Sequence, residues 1–184
     1  MKFDKERMQP LILSAVVVLL DQITKIHIAS NWPINSFITD VFDNDLLHII
    51  HVRNPAIAFS LGYTLPPNLR FWLFVVFPLL VLVFLLWYYF RTDEFNKAQR
   101  WAVAAIVGGG AGNLIDRIFR PDGVVDFISV RFFGILGFER WPTFNVADSS
   151  VVVGSILMFV SILISPGVSK PGDSALPPQD TPGE

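Results

Sequence analysis

The sequence predicts an α-helical integral membrane protein: four transmembrane helices, a small extracytoplasmic β element and a disordered C-terminal tail. Three observations predict it. Apolar residues make up 52% of the 184 and charged residues only 16%, against roughly 25% charged in soluble domains, and the mean hydropathy is +0.51. The apolar residues gather into runs long enough to cross a bilayer. Polar stretches rich in turn formers separate those runs, and the length allows one domain, 1–165, ahead of a tail at 166–184. A net charge of −2 with no basic tract argues against nucleic acid as a partner, and the absence of cysteine excludes disulfides, thiolate metal sites and a Cys nucleophile.

The first span is expected at about 11–29. Its uninterrupted part, Leu11–Leu20, is short enough to resemble a signal-peptide core behind a basic start. No small-x-small cleavage site follows, since Ile26, His27 and Ile28 stand there, so it is read as a retained span. Asp21 and Lys25 interrupt its second half at i and i+4, on one face, where they can pair. Residues 30–69 are too polar to cross; within them Leu46–Arg53 reads as a strand in a β element lying on the membrane.

The second span, 71–90, holds twenty uncharged residues with Trp87, Tyr88 and Tyr89 as an interface belt, and Pro78 is expected to bend it. A ten-residue polar link, Arg91–Arg100, leads to the third span at 101–119. There Gly108-x-x-x-Gly112 permits close helix contact, and Asn113, Asp116 and Arg117 form one polar stripe at i, i+3 and i+4. A charge at the bilayer centre costs roughly 2.5–3.5 kcal/mol on insertion scales, so that stripe needs a reason. Asp116 and Arg117 are read as a structural pair that neutralises charge in lipid. Val124–Val130 reads as a second strand carrying Asp126, and the fourth span, 144–164, opens with Asn145 and Asp148. The tail is rich in Pro, Gly and Asp.

Four spans put both termini on one side, and three Lys or Arg in each of 1–10 and 91–100 place that side in the cytoplasm. In either orientation the polar ends of spans one, three and four fall on the same side, beside the loops that carry Asn54 and Asp126. Asp126 and Asp148 are therefore the candidates for chemistry. Two carboxylates held close share a proton: the ionised one takes a proton from water and the protonated one donates to a carbonyl oxygen. An ion or proton relay through Asp21, Asp116 and Asp148, in a small coupled transporter, and plain helix pairing remain the alternatives. His48 and His51 form H-x-x-H without the glutamate a zinc protease needs, so no metal site is expected.

Five ordered motifs are similar to those of the bacterial lipoprotein signal peptidases (signal peptidase II), a family of four-span aspartic peptidases. They are DQITK at 21–25, VRNPAIAFS at 52–60, GGGAGNLIDR at 108–117, VVDF at 124–127 and FNVADS at 144–149. The resemblance implies cleavage of diacylglyceryl-modified prolipoproteins just before the lipidated cysteine, with Asp126 and Asp148 as the catalytic dyad. It implies supporting or substrate-binding roles for Asp21, Lys25, Asn54, Asn113, Arg117 and Asn145, with no metal and no cofactor. It further implies a monomer in the inner (cytoplasmic) membrane, an active site near the outer leaflet, membrane lipids as partners and inhibition by globomycin-type cyclic peptides. One departure stands out: the family's N-x-G-x-A-F-S has Ala56 in the glycine place, after Pro55.

Overall fold

In the computed structural model of the protein, residues 4–55 and 65–164 are described. The expectations for the tail at 166–184 and for Ala56 fall outside these residues. Helix α1 runs Lys5–Asn31, beginning earlier than the apolar run because Asp4 caps it, its carboxylate accepting from the Glu6 N–H at 3.3 Å. It ends where Trp32 turns extended ahead of Pro33. Strands β1 (Ser36–Asp40) and β2 (Leu47–Asn54) form an antiparallel hairpin. Asp40 tightens its turn, accepting from the Asp45 N–H at 2.6 Å. The sequence reading saw β2 and missed β1, whose five residues, SFITD, are too short for an alternating pattern to stand out.

The second span comprises α2 (Pro67–Phe71), a π-helical turn (Trp72–Val76) and α3 (Phe77–Arg91). Just before Pro78, where a bend was expected, the helix widens: the Phe77 N–H reaches back to the Trp72 carbonyl, and the next residue, Pro78, has no N–H to give. Helix α4 (Lys97–Phe119) starts at a capping box, Asn96 accepting from the Gln99 N–H at 3.0 Å while the Gln99 side chain accepts from Asn96 at 3.0 Å. The link between spans two and three is thus shorter than the ten residues expected. Strand β3 covers Val124–Val130, as predicted, and α5 runs Val146–Ile164.

Among the described residues, four helical segments are long and apolar enough to cross a membrane: α1, the α2–α3 segment, α4 and α5. Helix α4 is the central one, with over half of its apolar stretch buried, whereas the second span keeps little of its surface inside. Small residues allow this. A Cβ on Gly109 would lie 2.3 Å from the Ala147 carbonyl oxygen of α5, and one on Gly108 would lie 2.9 Å from the Ser14 Cα of α1. The outward faces carry large exposed apolar residues, such as Leu80, Phe84, Phe159 and Leu163, as lipid-facing surfaces do. At one end Tyr89, Val103 and Val107 form a core cluster, and the buried Tyr89 hydroxyl donates to the Arg7 carbonyl at 2.7 Å. At the other end the sheet, in the order β1-β2-β3, packs Val125 and Phe127 on Ile28 and Trp32. In the β2–β3 register Val52 lies opposite Asp126 and Asn54 opposite Val124.

Candidate active site

The polar residues of the spans meet where α1, α4, α5 and β3 converge. Deepest is an ion cluster. Lys25 lies 2.8 Å from Asp21 Oδ2 and 3.3 Å from Asp116 Oδ2, and all three side chains are fully buried. Buried charge is tolerated only when paired and hydrogen-bonded, and each member here is. Asp21 Oδ1 accepts from the Ala147 N–H in the first turn of α5 at 2.9 Å. Asp116 accepts from the Val125 N–H of β3 at 3.0 Å and pairs with Arg120. Gln22 donates to Asp21, Asp116 and the Gly112 carbonyl at 3.1, 3.0 and 3.1 Å.

The expected pairing of Asp116 with Arg117 is corrected by this geometry. Neighbours on an α-helix point about 100° apart, so Asp116 turns to α1 and β3 while Arg117 turns to the second span. Arg117 donates to the Phe74 carbonyl at 3.3 Å and stacks 5.7 Å from the Phe74 ring. From there its guanidinium is close enough to interact electrostatically with Asp148 and Asp126.

Lys25 also sets the next layer. Its ammonium donates to Asn113 Oδ1 at 2.9 Å. An ammonium has no acceptor, so the Asn113 amide must point its oxygen at Lys25 and its nitrogen away. That nitrogen donates to Asp148 Oδ1 at 2.7 Å. Asn145 and Asp148 start α5 with a reciprocal cap: the Asp148 N–H donates to Asn145 Oδ1 at 2.9 Å, and the Asn145 N–H to Asp148 Oδ2 at 3.1 Å. The Asn145 amide nitrogen then donates to Asp126 Oδ1 at 2.7 Å and to Asn113 Oδ1 at 3.1 Å. Asn54, at the end of β2, donates to Asp126 Oδ2 at 3.1 Å.

The two aspartates are therefore joined through one asparagine. Asp126 is buried and Asp148 partly exposed. Burial, and secondarily the negative charge of Asp148, push the Asp126 carboxyl up from 3.8 to about 7; the hydrogen bonds from Asn54 and Asn145 and the charge of Lys25 pull the other way. A carboxyl group raised to about 7 beside a second carboxyl group can donate and accept protons across one small site.

All eight residues expected at the site are placed around this centre, Asp21 and Lys25 beneath it and Arg117 at its flank. His48 and His51 lie elsewhere. His48 is 2.9 Å from Asp45, and the buried His51 ring bonds to the Trp32 carbonyl at 2.8 Å. Among the described residues no cluster of three His, Asp or Glu side chains is placed to hold a metal ion. Sequence reasoning passed over three contributors: Gln22, Arg120 and Gly123. The i, i+4 spacing of Asp116 and Arg120 was a usable signal for the second. The Asp122-Gly123 turn was one for the third. Gly123 has φ +93°, and a Cβ there would sit 2.4 Å from the Asn54 carbonyl oxygen.

Residues 13–164 match the family model described as "Signal peptidase (SPase) II". The chain is 44% identical over 162 residues to the lipoprotein signal peptidase of Treponema pallidum (strain Nichols), covering 88% of this chain and 87% of that one. It is 45% identical over 150 residues to the lipoprotein signal peptidase of Borrelia duttonii (strain Ly), covering 82% and 86%. Two solved structures, each titled as a bacterial membrane enzyme, share the fold. One has a TM-score of 0.71 at 29% identity, covering 84% of this chain and 87% of that chain; the other has 0.70 at 28%, covering 86% and 94%.

Proposed function

The chain belongs to the signal peptidase II family and is a multi-pass membrane peptidase, and from that premise we propose that it is an aspartic endopeptidase acting on diacylglyceryl-modified prolipoproteins. It cuts just before the lipidated cysteine, with Asp126 and Asp148 sharing one proton. The observation that carries this reading is the Asn145 bridge, which holds both carboxyl groups in one hydrogen-bonded unit.

Asp126, whose carboxyl is raised to about 7, holds the proton, and Asp148 acts as the base. Asp148 takes a proton from water, the resulting hydroxide attacks the scissile carbonyl carbon, and Asp126 gives its proton to the carbonyl oxygen. The tetrahedral product then collapses: the leaving nitrogen takes the proton held by Asp148, and Asp126 takes back the proton of the hydroxyl that becomes the new carbonyl. Asn113 and Asn54 keep the two carboxyl groups turned towards this task, and Arg117 supplies positive charge at the flank. The termini lie in the cytoplasm on this reading, and the site lies near the outer leaflet of the cytoplasmic membrane, where acyl chains and water both reach it. A proton relay through Asp21 and Asp116 is disfavoured because both carboxylates are locked onto Lys25.

The test is turnover of a diacylglyceryl-prolipoprotein by purified Asp126→Asn and Asp148→Asn. Each is expected to lose on the order of 10³-fold in kcat, the scale of a lost general acid or base, with helix content and melting retained. Near wild-type turnover by either folded variant overturns the dyad. A globomycin-type cyclic peptide is expected to block the residual wild-type signal, and steady proton flux in liposomes without cleavage favours the relay instead.

A further inference from the structure

Beyond the peptidase site, the segment between β3 and α5 carries a feature the chemistry does not use. Arg131 and Arg140 pair across its base, the Phe132 N–H donates to the Glu139 carbonyl at 2.8 Å, and the Gly134 N–H donates to the Phe138 carbonyl at 3.0 Å. Just beyond this bridge Trp141 packs on Phe132, with ring centroids 5.0 Å apart, and on Phe138 at 6.4 Å. Phe132 and Phe138 are half-buried in this contact, whereas Phe133, Ile135 and Leu136 stand outside, and Leu136 is 80% exposed. Two of these outward residues are also conformationally costly. Phe133 and Leu136 have φ of 55° and 54°, a region that large side chains enter rarely. The fold thus holds an apolar tip in a conformation that glycine or asparagine would take more cheaply.

We propose that this tip is a membrane anchor that inserts into the lipid leaflet on the side of the active site. The proposal rests on the four helices crossing the membrane and not on the assignment of the dyad. Both ends of the segment are tied to the bilayer: Phe119 ends α4 five positions before β3 begins, and Phe144 stands one position before the Asn145 that caps α5. The base has the chemistry of an interface. Arg131 lies 5.3 Å from the Phe133 ring and 2.9 Å from Asp45, and Arg140 lies 2.8 Å from Asp45. Guanidinium groups and a tryptophan behind an apolar tip suit headgroups and acyl chains in that order. The tip is as exposed as residues that face lipid on the spans, such as Phe119 and Leu163. Anchoring it fixes the far end of β3, the strand that carries Asp126, and so holds that carboxyl at constant depth.

The chain has no native cysteine, so single-site labelling is clean. Leu136→Cys and, separately, Ile135→Cys are labelled with a polarity-sensitive fluorophore in the full chain, reconstituted in phosphatidylethanolamine–phosphatidylglycerol vesicles. Lys97→Cys, at the exposed start of α4, is the aqueous control. Both tip probes are expected to emit blue-shifted of the control and to lose most of their emission to lipids carrying a doxyl quencher high on the acyl chain. Water-like emission from both tip probes overturns the anchor. Blue-shifted emission that doxyl lipids do not quench also overturns it, because a protein surface, such as a second copy, then covers the tip. A circular dichroism melt of each labelled variant, matched to the unlabelled chain, establishes that the fold is intact before either result is read.

Discussion

Asn145 stands between two acids and uses both ends of its amide to do so. Its oxygen accepts from the Asp148 N–H and its nitrogen donates to Asp126, a division that neither an ionised carboxylate nor a hydrocarbon of similar size could make. The carboxyl it holds in β3 has a consequence for stability. Between 3.8 and about 7 the unfolded chain has lost the Asp126 proton while the folded chain retains it. The folded state then binds more protons, so raising the pH through that window destabilises it. The wild-type melting temperature in detergent is expected to fall from pH 5 to pH 8 by more than that of Asp126→Asn, and kcat/KM is expected to decline above about 7 as the donor proton is lost. Gly123 acts on the same carboxyl at one remove. A methyl group there meets the Asn54 backbone at a positive φ, so Gly123→Ala is expected to displace the Asn54 amide from Asp126, to lower kcat about tenfold or more and to lower the melting temperature as well. The two aspartates were legible in the sequence because their motifs are local. The asparagine joint was legible only as a supporting residue, because its second partner is nineteen positions away and nothing in local spacing announces a contact of that reach.

Helix α4 shows which glycines matter. A Cβ on Gly109 runs into the backbone of α5 at Ala147, whereas one on Gly110 meets only the far end of the Leu82 side chain, at 2.8 Å from a methyl carbon. Backbone cannot step aside as a leucine tip can. Gly109→Ala is therefore expected to cost about 1–3 kcal/mol of stability and to reduce cleavage by shifting the start of α5, while Gly110→Ala costs less and leaves cleavage near wild type; thermal melts and turnover of the two variants side by side check this. The small-residue spacing that announced close packing was readable from the sequence, but it did not say which glycine faced α1 and which faced α5. The strands divide in the same way. The run VVDFISV is apolar enough to declare β3 to the residue, whereas SFITD becomes β1 because the hairpin turn returns it to β2. The π-helical turn beside Pro78 is a matter of hydrogen-bond register, which composition does not encode.

For the molecule as a whole, one lysine holds four elements together: through Asp21 it fixes α5, through Asp116 it fixes β3, and through Asn113 it fixes the interior face of α4. Lys25→Met leaves Asp21 and Asp116 buried without their shared cation, and is expected to cost about 3–5 kcal/mol. Adding Asp21→Asn should recover part of that loss in a thermal melt, because one stranded charge is then gone. That all polar span ends would gather on one side followed from counting crossings in the sequence. That Lys25 would find Asp116 did not, since the choice between Asp116 and Arg117 as its neighbour rests on how α4 is rotated in the bundle. The same lysine bears on biogenesis. Helix α4, burdened with Asn113, Asp116 and Arg117, is the least apolar of the four spans, and it emerges from the ribosome after α1 is already in the bilayer. Its Asp116 is held by Arg120 at its own end and, across the bundle, by Lys25 of α1, so α1, made first, is expected to ease the membrane integration of α4, and Lys25→Met is expected to lower the inserted fraction of the third span.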